Sequence, residues 1–108
     1  MKRLVHLQKI EIKNQETEIN DCYNYLNYLK NKIHSISLNY KNSFKKNYYS
    51  KFNSIAELCD YRLELEKLQF QLNIEIKKIK KTINKLKKTH VIQINNLLYH
   101  ELLINKIK

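Results

Sequence analysis

Side chains do chemistry together only at fixed spacing, and the reactive residues of this 108-residue sequence are scattered. His6, His34, His90 and His100 have neither one another nor a cysteine at the i, i+4 spacing that sets two ligands on one helix face, so no zinc site is expected. Serine, histidine and acid are too dispersed to suggest a triad. The sequence has no glycine, which excludes a phosphate-cradling loop, a dinucleotide fingerprint and a nucleophile elbow. The expectation is a non-enzymatic protein without metal or cofactor. Cys22 and Cys59 both read as seam residues. In a hairpin folded near residue 50, Cys22 would face roughly residue 77 and Cys59 roughly residue 40, leaving the thiols about 27 Å apart. That is beyond disulfide reach, and both read as small reduced core residues of a cytosolic protein.

The densest chemistry lies in Asn39–Ser54, NYKNSFKKNYYSKFNS, which joins five aromatic rings to four lysines without any acid. Tyr40, Phe44, Tyr48 and Phe52 recur every four residues, a stripe along one face if helix persists there. Two readings stay open: packing that closes the end of a hairpin, or an exposed anchor set of the kind enriched at interfaces. Lysines at the left end suit a helix C-terminus. Ser54-Ile55-Ala56-Glu57 is a capping box for a new helix start, with Asp60 adding a second acid. A turn over about residues 47–53 follows.

Long segments of helical periodicity flank this stretch. With neither glycine nor proline, a multi-stranded fold is not expected. In the first arm Val5, Ile12, Ile19, Leu26, Ile33 and Tyr40 are spaced by seven, and Gln8, Gln15, Cys22, Leu29, Ile36 and Ser43 follow each by three. The seam is polar towards the N-terminus, where loose packing is expected, and Tyr23, Tyr25 and Tyr28 flank it. The second arm runs Leu58, Tyr61, Leu65, Leu68, Leu72, Ile76, Ile79, Ile83, Leu86, His90, Ile94, Leu97. Stutters near Leu72 and His90 make the seam drift. The run Val91–Ile107 is apolar on several faces, more than one partner helix needs. The expected fold is all-α: a single domain, residues 1–108, forming a long antiparallel two-helix coiled-coil hairpin. Its helices should cover about residues 3–46 and 54–106, with no globular core.

The formal charge is +11, and seven lysines fall between Lys77 and Lys88, all off the seam. They form either a solvated face or a docking stripe for an acidic surface. Only Arg3 and Arg62 are arginines and no nucleic-acid reader motif is present, so nucleic acid is not the expected partner. Lys2 and Arg3 precede an apolar run broken by Gln8, Lys9 and Glu11, which is no signal peptide. No apolar run reaches the length of a membrane span.

Leu7, the segment Asn39-Tyr40-Lys41-Asn42-Ser43-Phe44, then Asp60-Tyr61 and Leu65-Glu66-Lys67 resemble the FliJ family of flagellar type III export proteins, with the YscO-like virulence-secretion relatives sharing the shape. The resemblance implies a stalk that inserts its paired chain ends into the hexameric export ATPase. The hairpin side would reach the cytoplasmic domain of the membrane export gate, and export chaperones are further partners of the family. Carried over, the gate-facing residues would be Ile33, Ser37, Tyr40 and Phe44 with Tyr61, Leu65, Leu68 and Leu72. The ATPase-pore contacts would be Leu97, Leu98, Leu102, Leu103 and Ile104. The implied location is cytoplasmic, peripheral on the inner membrane. Two other readings are a generic coiled-coil adaptor or homodimer, and a basic nucleic-acid-binding helical protein.

Overall fold

A computed structural model describes residues 2–107, apart from the side chain of residue 107, the last of the Val91–Ile107 run. Two helices make up nearly all of it: α1, Lys2–Asn42, and α2, Ile55–Ile107. Residues 43–54 join them and include a short 3-10 turn at Tyr49–Lys51. The described residues contain no strand. The fold is the expected all-α two-helix hairpin.

The buried residues are those of the two seams. Val5, Ile12, Ile19, Leu26 and Leu29 are buried from α1, and Leu58, Leu65, Leu72, Ile76 and Ile83 from α2. Each is a seam position, so the sevenfold spacing on α1 and its drifting counterpart on α2 account for the whole apolar core. The drift is visible where the four-residue steps begin. Leu68 is exposed, while Gln69 is half-buried and donates a hydrogen bond to the exposed Ser37 Oγ at 3.1 Å.

Contacts divide the chain into two compact units, one formed by Tyr25–Ile79 and the other by Met1–Asn24 with Lys80–Lys108. In the first, the pairings Ser43–Arg62, Ser37–Gln69 and Tyr25–Glu75 descend one helix while climbing the other, which makes the pair antiparallel. In the second, Gln8–His100, Gln15–His90 and Tyr23–Lys87 do the same.

Three details differ from expectation. Helix α1 ends at Asn42 instead of near residue 46: the Ser43 N–H still donates to the Asn39 carbonyl at 3.0 Å, but Phe44 and Lys45 donate three residues back and the Ser43 carbonyl leaves the ladder. The Ser43 hydroxyl donates to the Tyr40 carbonyl, and the Arg62 guanidinium donates from Nη2 to the backbone oxygen of Ser43 at 2.6 Å. Arg62 thereby satisfies a carbonyl that the helix end leaves open. Cys59 is exposed and Cys22 half-buried, so only Cys22 belongs to a seam; Cys59 follows the buried Leu58 and is turned about 100° away from it. Tyr40 comes opposite Glu66 instead of Cys59. The linker folds back over the first turns of α2, with Tyr48 and Phe52 both packed on Tyr61, and this shifts the register.

Helix α2 starts where the capping box sets it. Ser54 Oγ accepts from the Glu57 N–H at 3.2 Å, and Glu57 Oε2 accepts from the Asn53 N–H at 3.0 Å. The carboxylate reaches one residue further back than in the usual box.

Candidate partner-binding surfaces

The unit Tyr25–Ile79 gathers aromatic residues around Ser43 and Arg62. Ser43 is almost fully buried, at 1% exposure, and accepts a second bond at Oγ from Arg62 Nε at 3.2 Å. The same guanidinium lies 4.1 Å from the centre of the Phe44 ring, a cation–π contact. Phe44 meets Tyr40 edge to face at 5.1 Å and remains 56% exposed. Because the helix stops at Asn42, the four-residue aromatic stripe is split. Tyr40 and Phe44 form one pair, while Tyr48 and Phe52 join Tyr61 in a separate cluster with centroids 5.3–6.0 Å apart. Lys51 lies over the Tyr48 ring at 4.7 Å. Of the two readings of the stripe, closing contacts describe the Tyr48 cluster, whereas Phe44 offers an open ring.

Three phenols of this unit are shifted upward. The hydrogen bond that Tyr40 donates to Glu66 raises its pKa, with desolvation acting in the same direction. The Glu75 charge raises that of Tyr25, whose hydroxyl donates to Glu75 at 3.3 Å. The hydrogen bond with Tyr48, then burial, raises that of Tyr61. Each neutral phenol therefore serves as a rung across a helix–helix or helix–linker contact.

The second unit is closed by polar rungs. Gln8 is buried at 9% and meets His100 Nδ1, either donating from Nε2 at 2.8 Å or accepting at Oε1 at 3.1 Å according to the imidazole tautomer. Gln15 meets His90 Nδ1 at 3.2 Å, and His90 Nε2 lies 3.7 Å from Glu16. Lys9 and Glu101 pair at 3.4 Å on the surface. Gln8 and Gln15, the polar seam positions where loose packing was expected, thus each have a partner on α2, and among the described residues no buried side-chain nitrogen or oxygen lacks a hydrogen bond.

These rungs leave apolar surface uncovered. Leu4, Leu7 and Ile10 are exposed on α1, and Val91, Ile92, Leu98, Tyr99 and Leu102 on α2. Val91, Leu98 and Leu102 lie on one flank of α2, and Ile92 and Tyr99 on the side away from α1. Among the described residues, no helix is long and apolar enough to cross a membrane.

The structure sorts the residues singled out in the sequence. From the gate-facing set, Phe44, Ser37 and Leu68 are exposed, Ile33, Tyr40 and Tyr61 half-buried, and Leu65 and Leu72 buried in the seam. Leu65 and Leu72 therefore hold the helices together and offer no surface while the hairpin is closed. From the pore set, Leu98 and Leu102 are exposed, and Leu97, Leu103 and Ile104 half-buried. Sequence reasoning placed Gln8 and Ser43 on the seam and noted Arg62 and His100, but it did not pair Gln8 with His100 or Ser43 with Arg62, because each counterpart lies far along the chain. No family model, no curated protein and no solved structure matches this chain.

Proposed function

We propose that the protein is a non-enzymatic connector, a helical hairpin that works by binding other proteins along its surface. The observation that carries this reading is the exposed apolar surface of residues 91–104, where Leu98 and Leu102 stay open after the seam is satisfied. Burying a leucine stabilises by about 2 kcal/mol, so several left open together favour a partner that covers them.

The specific form of the connector is the stalk of a flagellar type III protein export apparatus. The chain ends, paired through Gln8 and His100, enter the ring of the export ATPase, and Phe44 with Tyr40 engages the cytoplasmic domain of the export gate. The hairpin architecture, the apolar surface near the chain ends and the open Phe44 ring support it. The test is ring assembly and turnover of an export ATPase with and without the protein. Sub-stoichiometric protein should drive hexamer formation and raise turnover, and Leu98→Ala/Leu102→Ala should abolish both. Phe44→Ala should keep its helicity and the ATPase response but weaken binding to the gate domain. Absence of any ATPase response across a range of salt would sink the stalk and leave a coiled-coil adaptor.

A further inference from the structure

On α2, Lys81, Lys85 and Lys88 recur at i, i+4 and i+7, and Ile92 and Tyr99 continue at i+11 and i+18. At about 100° per residue these five share one strip, on the side opposite the seam residues Ile83 and His90. All five are exposed, Ile92 at 59% and Tyr99 at 60%. Among the described residues of the unit, neither ion pair, Lys9–Glu101 or Glu16–His90, uses any of these lysines. No acid occurs on α2 between Glu75 and Glu101. Where the basic part of the strip meets the apolar part, Lys87, Lys88, Val91 and Ile92 line a shallow apolar hollow.

We propose that this strip docks an acidic amphipathic helix of a partner protein. Its carboxylates would meet Lys81, Lys85 and Lys88, and its apolar side chains would cover Ile92 and Tyr99. From Lys81 to Tyr99 the strip is about 27 Å long, or five helical turns. Charge decides the occupant. A second copy brings +11 of the same sign to a face already basic, and like charges in an interface cost several kcal/mol. A duplex would use the lysines but leave Ile92 and Tyr99 without work, because nucleic-acid affinity of this kind comes from phosphates. A membrane-surface helix keeps basic residues beside its apolar face along its whole length. Here the outer strip is basic at one end and apolar at the other, and no lysine or arginine occurs between Lys88 and Lys106. This inference is independent of the stalk assignment, since it uses neither Leu98 nor Leu102.

The experiment uses the full chain and labelled synthetic helical peptides about 20 residues long. One carries glutamates at i, i+4 and i+7 and leucines at i+11 and i+18, a second carries the same pattern in reverse order, and a third carries lysines in place of the glutamates. Fluorescence anisotropy should show binding of one acidic peptide and none of the basic one. Lys81→Glu/Lys85→Glu/Lys88→Glu should weaken that binding at least about tenfold and should bind the basic peptide instead. The milder Lys→Gln triple, checked by circular dichroism, guards against a folding defect. Ile92→Ser/Tyr99→Ser should also weaken binding about tenfold, at unchanged helicity. Equal binding of acidic and basic peptides, or no binding by either acidic peptide, would overturn the proposal. So would tighter binding to phosphatidylserine vesicles or duplex DNA that needs the lysines but not Ile92 and Tyr99. Self-association lost in the lysine variants, read by analytical ultracentrifugation, would assign the strip to a second copy instead.

Discussion

Arg62 makes three contacts at once: two hydrogen bonds to Ser43 and a stack on Phe44. Only a planar fork serves all three, because an ammonium on a lysine stem cannot donate along two parallel lines while lying over a ring. The bond to the Ser43 carbonyl is charge-assisted and replaces a hydrogen bond the helix end has lost, so its removal leaves an acceptor beside an almost fully buried residue. Arg62→Met, which keeps the stem, should lower unfolding stability by about 1–3 kcal/mol, read as a lower midpoint in urea. Arg62→Lys should recover little of it. In the methionine variant, helical amide signals should extend beyond Asn42 towards Lys46, since the cation that stops α1 is gone. A midpoint equal to that of the parent chain would show that Ser43 is capped by something other than Arg62.

At the scale of the helices, a seam is legible when side-chain type alone reports it. Ile12, Ile19 and Leu26 on α1, and Leu58, Leu65 and Ile83 on α2, stood out by spacing and are all buried. The start of α2 was equally legible, because Ser54 and Glu57 act on backbone groups within four residues of themselves. The end of α1 was not, since its terminator sits on the other helix and no local rule points from Ser43 to Arg62. The same holds for Gln8 and Gln15. They read as a weakness of the seam because glutamine is polar, yet each has an imidazole opposite. In the candidate surface, Phe44, Leu98 and Leu102 are open, while Leu65 and Leu72 are buried in the seam. A residue cannot serve the seam and an outside partner together, and spacing alone does not say which role prevails. Such polar rungs fix register at a cost in stability. Gln8→Leu with His100→Leu should therefore raise the thermal midpoint, equivalent to about 1–2 kcal/mol. A lower midpoint would show that the pair stabilises the helices outright.

At the scale of the whole molecule, the accessible surface is 8512 Å² for a mass of 13.2 kDa, where a compact chain of that mass exposes about 6,400 Å². The difference is about 2,000 Å², slightly more than a standard protein–protein interface removes from water. Charge acts at the same scale. With 21 basic residues against 10 acids, folding brings lysines closer together than the open chain does, and the acids are too few to pair with even half of them. The self-repulsion is long-ranged and therefore sensitive to screening. Raising sodium chloride from about 20 mM to 0.5 M, which shortens the Debye length from roughly 20 Å to 4 Å, should raise the thermal midpoint. A midpoint that falls with salt would mean that attractive pairs such as Lys9–Glu101 outweigh the repulsion.

The stop signal of α1 lies nineteen residues after the stop itself, at Arg62 against Ser43. Synthesis delivers a chain N-terminus first, so α1 exists for a time without its terminator. During that interval Phe44, Lys45 and Lys46 are free to stay helical, and Tyr40, Phe44 and Tyr48 share one continuous face. Once Arg62 is made, its bonds to Ser43 favour the shorter helix, in which Phe44 and Tyr48 lie in separate clusters. A ribosome-bound chain that ends before Arg62 should therefore offer a continuous aromatic edge, which the finished molecule divides.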